Sequence, residues 1–259
     1  IDPSEIHRYT SRQPTISEHQ NTIRHYLGYK EFSDANIGSI KQYIFDQSCR
    51  LEHTGALRLV LEHYLREHNV LQPADYILQR IIGEQKRLAQ QHIYETIINL
   101  LSLETQKKLD VLLEVKEGTV SSLQQLKAVP RSPSPAALLE LTQKLDQIAS
   151  TDVLDVDISW LNNNYQRIMT NHVQRYSAHT LRDRIVQPRR YAAVACFLQQ
   201  TYGDTIDQII DMYDKLINKV YNWAQDDLDE SIKKQRRSIQ KVLGIFSYMG
   251  EILLNEDIS

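Results

Sequence analysis

The sequence predicts an all-α protein, and three observations support that prediction. Residues that favour helices, chiefly Leu, Ile, Gln, Glu and Ala, are abundant in the chain. The 259 residues include only eight glycines and seven prolines, which is too few for the many tight turns of a β-sandwich. Apolar residues recur at helical spacing along most of the chain. We therefore expect a multi-helix array in which small helical modules precede long packed helices.

Three short helices are predicted in the first 70 residues. The first begins at about Thr15 and ends at Gly28, because glycine readily takes the left-handed conformation that follows a helix. Ser33 and Asp34 are capping candidates at the start of the second helix. Apolar residues at helical spacing from Leu57 onward mark the third.

Longer helices follow, with two interruptions. The helices predicted in this part of the chain lie at about residues 73–101, 107–113, 121–129 and 135–148, and residues 189–255 are predicted to form several long helices. Pro73 fits the first turn of the longest early helix. Three prolines in Pro130–Pro135 exclude a continuous helix there and indicate a loop or a boundary. The segment Ser150–Asp157 breaks the helical pattern again.

The composition indicates an intracellular protein. Cys49 and Cys196 are the two cysteines, which make neither a disulfide framework nor a metal site. Cys196 lies in an apolar run and is predicted to be a small core residue. No apolar run approaches the roughly 20 residues that span a bilayer, and no secretory leader opens the chain. We expect a soluble, cytoplasmic protein without membrane contact, or a part of one.

Charge is strongly segregated along a chain whose net charge is only −3. Trp160–Ala192 holds six arginines and one acid, a local charge of +5. Asp204–Glu230 holds eight acids and two lysines, a local charge of −6, and Ser231–Val242 holds five basic residues and no acid. Segregation of this kind matters more for the choice of a partner than the total does.

The arginine-rich segment is the first candidate for contact with phosphate. Arginine presents forked donors to phosphate, and serine adds a neutral donor. The candidate residues are Arg175, Ser177, Arg182, Arg184, Arg189 and Arg190. An arginine-rich surface that pairs with the acidic helix after it explains the same residues equally well.

A second candidate lies near the start of the chain, where a short helix, a turn and a second helix resemble a module that enters a major groove. Its polar residues are Arg12, Thr15, Ser17, Gln20, Asn21 and Arg24. The net charge over residues 1–30 is only +1, so an ordinary amphipathic helix is the alternative.

The sequence contains no convincing catalytic motif. Asp204, Asp207, Asp211 and Asp214 recur along one helix face, and such a row could hold divalent metal for phosphoryl transfer. A row on one helix lacks convergent geometry, so an acidic solvated face is the favoured interpretation. The chain has no H-E-x-x-H, C-x-x-C, G-x-S-x-G or glycine-rich phosphate motif.

Five short motifs, taken in order, resemble elements of one known family. They are Ile23-Arg-His-Tyr-Leu-Gly-Tyr-Lys-Glu-Phe32; His68-Asn-Val-Leu-Gln-Pro73 with Leu78-Gln-Arg-Ile-Ile82; Arg175-Tyr-Ser; Arg189-Arg-Tyr-Ala-Ala-Val194; and Ile210-Asp-Met-Tyr-Asp-Lys-Leu-Ile217. They are similar to the transposases of the Tn-three family, the replicative, cointegrate-forming bacterial transposons. That family often has His where this chain has Tyr213.

The resemblance implies a catalytically inactive fragment of a transposase that binds the terminal inverted repeats of its transposon. Double-stranded DNA is then the partner of the two candidate sites, in a bacterial cytoplasm and on the nucleoid when bound. The catalytic residues and their divalent metal, expected to be Mg²⁺, would belong to an RNase H-like domain beyond this chain, so no cofactor and no metal site are expected here.

The resemblance also suggests four parts and two functional alternatives. Residues 1–72 would end the N-terminal DNA-binding region, 73–132 would connect, 133–188 would carry the basic patch and 189–259 would form a long-helix scaffold. The first alternative is a dimerisation or scaffold region without sequence-specific DNA contact, within a homodimeric transposase. The second is a hydrolase that uses the aspartate row.

Overall fold

The computed structural model describes residues 13–115, 120–130 and 132–256, with side chains from residue 16 to residue 252 within those ranges. The described helices are α1 (Gln13–Tyr26), α2 (Asp34–Arg50), α3 (Thr54–Glu67), α4 (Asp75–Leu100), α5 (Leu103–Leu112), α6 (Ser122–Lys127), α7 (Pro135–Ala149), α8 (Asn163–Arg175), α9 (Ala178–Arg184) and α10 (Gln187–Glu256). A short 3-10 turn occupies Val153–Asp155. The structure is 81% helical, and the described residues form no sheet, which confirms the all-α class.

Local chemistry explains several helix ends. Ser33 precedes α2, and its backbone N–H donates to Asn36 Oδ1 at 3.1 Å, as predicted for a capping residue. Gly28 follows α1 with φ of +69°, the left-handed conformation expected of it. Pro135 opens α7, where a missing N–H costs nothing. Pro73 lies outside α4, because that helix begins only at Asp75.

The described residues divide into two compact units. Unit 1 combines the described residues up to Lys127 with Ile148–Gln200, and unit 2 combines Ala128–Gln147 with the described residues from Thr201 onward. In unit 1, α2, α3 and α4 pack around a buried apolar cluster: Ile40, Ile44, Leu57, Leu61, Leu65, Val70, Leu78 and Ile82. Each helix contributes residues at helical spacing to this cluster, so the core follows directly from the sequence pattern.

A second part of unit 1 forms around the start of α10. All eight residues of the run Tyr191–Leu198 are buried, and Cys196 is fully buried as predicted. The Tyr165 hydroxyl donates to the carbonyl of Ser48 at 2.7 Å and so joins α8 to α2. The Gln199 amide donates to the carbonyls of Val153 and Val156 at 2.8 and 2.7 Å. These bonds hold the first turns of α10 inside unit 1.

Unit 2 has a smaller core. Ala137 and Leu141 of α7 and Met212 of α10 are buried together, with Leu138 and Ile209 packed against them. Residues 187–256 form one uninterrupted helix of 70 residues, where the sequence predicted several long helices. No proline follows Pro188 in this range, and Gly203, Gly244 and Gly250 lie inside the helix without ending it.

Candidate nucleic-acid interface

The arginine block, defined here as residues 175–190, comprises the end of α8, the whole of α9 and the first turn of α10. Tyr176 and Ile185 are extended and terminate α8 and α9, so three helix segments meet within a few residues. The exposed arginines of this block are Arg175, Arg182, Arg184 and Arg189. Asp183 is the one acid of the block, and it contacts both Arg182 and His179. The exposed surface of the block is therefore positively charged.

Arg190 lies inside unit 1, although the sequence placed it among the phosphate contacts. Its side chain is only 10% exposed. The guanidinium donates to the carbonyl of Arg182 at 2.8 Å and lies 3.4 Å from Asp110 Oδ1 and from the Tyr191 hydroxyl. The Tyr191 hydroxyl donates to Asp110 Oδ2 at 2.8 Å. A buried arginine is expected to have such partners, so Arg190 joins α5 to α9 and α10 and is not available to DNA in this structure.

Ser177 caps α9 rather than presenting a free hydroxyl. Its Oγ accepts a hydrogen bond from the Thr180 N–H at 3.1 Å and lies 2.9 Å from Thr180 Oγ1. The residue precedes Ala178, the first residue of the helix, in an extended conformation, as an N-cap does. Ser177 therefore orients the helix that carries Arg182 and Arg184.

We predict that Ser177→Ala lowers the free energy of unfolding by about 1 kcal/mol, because one N–H of α9 loses its partner. Ser177→Gly should lower the free energy of unfolding by only a few tenths of a kcal/mol, since glycine is tolerated at an N-cap position. Urea denaturation of both variants measures the difference. Unchanged stability of the alanine variant, together with weaker DNA binding, would instead assign the hydroxyl to DNA contact.

A cavity of about 380 Å³ adjoins the arginine block within unit 1. Its lining includes Arg87, Gln90 and Gln91 of α4, His172 of α8 and Arg189 of α10. Arg189 Nη2 lies 3.4 Å from His172 Nδ1. Arg87 was not a candidate from the sequence, because it is about a hundred residues from Arg189 and lies in an ordinary amphipathic helix. Tertiary packing alone brings the two arginines to one cavity.

The pKa of His172 reflects the burial and the positive charge at this cavity. Burial lowers the pKa of the His172 imidazole, and the positive charges of Arg189 and Arg175 lower it further. The imidazole is therefore neutral at pH 7, and the groups around it favour an anion.

The N-terminal candidate is only partly described. Arg12 lies outside the described residues, as does the side chain of Thr15. Ser17, Gln20 and Asn21 are exposed on α1. Arg24 is half-buried and binds both the amide oxygen of Asn21 and the carboxylate of Glu31. The acid neutralises much of the charge of Arg24, so this candidate surface is less positive than the arginine block.

The aspartate row has no metal-site geometry. Asp204, Asp207, Asp211 and Asp214 are all exposed on α10, and Asp211 pairs with Lys215. Among the described residues, no three His, Cys, Asp or Glu side chains are grouped so that they could hold a metal ion. These carboxylates lie on a solvated helix face in unit 2.

None of the helices in the described ranges is both long enough and apolar enough to cross a membrane.

Comparisons with known proteins find transposases along most of this chain. Residues 1–85 match a family described only as a domain of unknown function, DUF4158. The chain is 24% identical over 259 residues to the transposase for transposon Tn1546 of Enterococcus faecium, and 22% identical over 254 residues to that for transposon Tn501 of Pseudomonas aeruginosa. Each alignment covers 98% of this chain and 26% of the relative.

The transposase for transposon gamma-delta of Escherichia coli is 26% identical over 226 residues, which are 86% of this chain and 22% of that protein. The chain thus spans about a quarter of the length of the curated relatives it matches.

Proposed function

Because this chain is homologous over nearly its whole length to transposases of the Tn-three family, we propose that it forms a DNA-binding and scaffolding part of such a transposase. In this proposal it recognises the terminal inverted repeats of a transposon during replicative transposition in a bacterial cytoplasm. Strand cleavage and joining, and the Mg²⁺ they require, would belong to other parts of the transposase. This chain would itself be catalytically inactive.

The observation that carries the proposal is the exposed face of the arginine block. Four arginines from three helix segments lie on the surface of unit 1, with one acid among them. Arg87 adds a fifth guanidinium beside the cavity that Arg189 lines. Cationic side chains on folded helices supply phosphate contacts that orient a protein on a duplex. Phosphate contacts do not read sequence, so base recognition in this proposal falls to α1 and its exposed Ser17 and Gln20.

Fluorescence anisotropy tests the proposal directly. The whole chain is titrated against a duplex that carries the terminal repeat of the transposon and against a shuffled duplex, over a series of salt concentrations. We expect tighter binding to the repeat that persists at higher salt. Equal and steeply salt-dependent binding to both duplexes would restrict the chain to phosphate contact. Absence of binding to either duplex would reject the DNA-binding proposal.

We predict that DNA affinity rises as the pH falls from 8 to 6. The pKa of His172 is lowered in the free chain, and a phosphate placed beside Arg189 would favour the imidazolium and raise it. Binding would then take up a proton, so affinity increases as the pH falls through the pKa of the bound state. Anisotropy titrations across this pH range measure the effect.

His172→Gln should flatten this pH dependence. The matched control is His179→Gln, because His179 belongs to the same block but lies 3.0 Å from the carboxylate of Asp183. If the His172 variant and the unaltered chain have the same pH dependence, no DNA phosphate lies beside His172 and Arg189.

The second candidate function is dimerisation within the parent transposase. It is favoured by the exposed apolar side chains of α10 beyond Met212, among which Tyr213, Ile217 and Trp223 are each about half exposed or more. Exposed apolar groups of this size usually mark a protein interface. We propose that the parent transposase is a homodimer and that this region contributes to its assembly.

A further inference from the structure

Two helix faces with the same residue spacing form the walls of the cavity beside Arg189. Residues i, i+3, i+4 and i+7 of α4 line one wall, and residues at the same spacing on α8 line the other. The lining residues of α4 are Arg87, Gln90, Gln91 and Tyr94, and those of α8 are Tyr165, Ile168, Met169 and His172. Val186, Pro188 and Arg189 form the third side, and all of these residues belong to unit 1.

The two walls differ in their chemistry. Every lining residue of α4 ends in a hydrogen-bonding group, whereas Ile168 and Met169 of α8 are apolar. The Tyr165 hydroxyl already donates to the carbonyl of Ser48 at 2.7 Å, so Tyr165 offers the cavity its ring. A flat ligand with apolar faces and a polar edge therefore fits between these walls.

The α4 wall has hydrogen-bonding capacity that the protein itself does not use. Within the described parts of the chain, no hydrogen bond reaches the side-chain amide of Gln90 or the hydroxyl of Tyr94, whereas Gln91 donates to Glu95 at 2.7 Å. Burial raises the pKa of the Tyr94 hydroxyl, so this group is protonated at pH 7 and can donate. An amide offers a donor and an acceptor together, as the edge of a nucleobase requires.

The rim of the cavity is positively charged and its floor is apolar. Arg87 and Arg189 are exposed, whereas Tyr165 and Met169 are each only 2% exposed, so the guanidinium groups lie nearer the solvent. The lining contains no acid, and neither guanidinium has a carboxylate partner among the described residues. This arrangement favours an anionic group at the rim and an uncharged ring at the floor.

We propose that this cavity binds one unpaired nucleotide, with its phosphate on Arg87 and Arg189, its base against the α8 wall and the edge of the base on Gln90. The cavity volume of about 380 Å³ lies within the range of about 300–1,000 Å³ that is usual for small-ligand sites. An acidic side chain of a protein would satisfy the arginines but would leave the apolar floor and the Gln90 amide without a partner.

The nucleotide has two sources with the same chemistry. One is a nucleotide extruded from DNA that is bound at the arginine block, and this source rests on the proposed function. A base that remains paired and stacked cannot enter, because its edge and both faces are covered within the duplex. The other source is a free nucleoside monophosphate.

Three duplexes of one arbitrary sequence test the site in the whole chain. The first is fully paired, the second has one bulged deoxyadenosine nucleotide, and the third has an abasic residue at the bulge. The second and third carry the same number of phosphates, so the difference between them reports the base alone. We expect binding to the bulged deoxyadenosine to be about tenfold tighter than to the abasic bulge, the size of effect that base stacking supplies. Fluorescence anisotropy measures the three affinities.

Gln90→Leu removes the amide and keeps a side chain of similar size. It should lower the preference for the base about fivefold, because one hydrogen bond to the edge of the base is lost. The affinity for the fully paired duplex should stay unchanged. The matched control is Gln79→Leu, at an exposed position of α4 that does not line the cavity, and it should keep the full preference. Circular dichroism establishes that both variants keep their helix content.

Calorimetric titration with deoxyadenosine 5′-monophosphate tests the free nucleotide as the source. Arg87→Ala should weaken this binding about tenfold, because a charged contact to the phosphate is lost. Arg80→Ala is the control, since Arg80 is exposed on α4 outside the cavity. Binding that is weakened by Gln90→Leu and Arg87→Ala, without any preference for the bulged base, would support the site and identify a free nucleotide as its ligand.

Two results would overturn the nucleotide site. The first is a preference for the base, or binding of the monophosphate, that is as strong in Gln90→Leu as in the unaltered chain. The second is the absence of both, including the case in which a glutamate-rich peptide binds at Arg87 instead.

The fully paired duplex separates this inference from the proposed function. A chain that binds this duplex, but neither prefers the bulged base nor binds the monophosphate, would reject the nucleotide site and leave the DNA-binding proposal standing. A chain that binds the monophosphate through Gln90 and Arg87, but binds none of the duplexes, would reject the DNA-binding proposal and leave the nucleotide site standing.

Discussion

Replacement of Arg175, Arg182, Arg184 and Arg189 by alanine together should weaken binding to any duplex by about 100-fold at 0.15 M salt. These four guanidinium groups are exposed on unit 1, and none is held inside the fold. Loss of four phosphate contacts should make the slope of log affinity against log salt concentration shallower by about 3 to 4. The ratio of affinities for the terminal repeat and a shuffled duplex should change little, because phosphate contacts carry no sequence information.

Anisotropy over a salt series measures both the affinity and the slope. The control variant carries Arg66→Ala and Arg80→Ala, which remove exposed arginines of α3 and α4 outside the block. It should lose less than about threefold in affinity, since it changes the net charge but not the proposed interface. A slope that changes equally per arginine in both variants would show that the block has no special role.

Replacement of Arg190 by alanine should lower the stability of the fold and leave DNA affinity unchanged. Replacement of its neighbour Arg189 should lower DNA affinity and leave the stability unchanged. Arg190 is buried and binds the Arg182 carbonyl and the carboxylate of Asp110. We expect Arg190→Ala to lower the free energy of unfolding by about 2–3 kcal/mol, because the Arg182 carbonyl and Asp110 Oδ1 lose the guanidinium as a donor. Asp110 is about half exposed and can be solvated, so the cost should stay below that of a fully buried ion pair.

Urea denaturation and DNA titration of the two single variants form a matched test. Arg189→Ala should keep its stability within about 0.5 kcal/mol and lose DNA affinity. Arg190→Ala should lose stability and, under conditions where it is folded, keep its affinity. Arg190→Lys should give an intermediate stability, since lysine keeps the charge but lacks the fork. A stable Arg190→Ala chain with weakened DNA binding would instead indicate that Arg190 contacts DNA.

Local signals in the sequence predicted much of the fold. The caps and breakers Gly28, Ser33 and Pro135 act at the helix ends where the sequence placed them, because each works through its own backbone or its nearest neighbours. The predicted division of residues 189–255 into several long helices was wrong, since a sequence pattern does not show whether successive helical segments join without a turn. Gly203, Gly244 and Gly250 lie within residues 187–256, yet none of them ends the helix.

Less of the candidate interface could be predicted from the sequence. Arg189 and Arg190 are adjacent and chemically identical, yet one is exposed and the other is buried, because only the second points toward Asp110. Asp110 lies 80 residues earlier in the chain, and nothing near it marks it as a partner. Arg87 joins the site through the packing of α4 and α8. Tertiary contacts between residues that are distant in the sequence determine which of these arginines are exposed and which are buried.

The buried run Tyr191–Leu198 has a consequence for any attempt to dissect this protein. The exposed arginines on α9 and α10 are positioned by a helix start that is apolar on every side and enclosed by unit 1. A synthetic peptide with the sequence of the arginine block and this run would expose all eight buried residues to water and would be expected to aggregate. The arginine cluster is therefore a property of the whole unit, and its activity cannot be transplanted as a short linear segment.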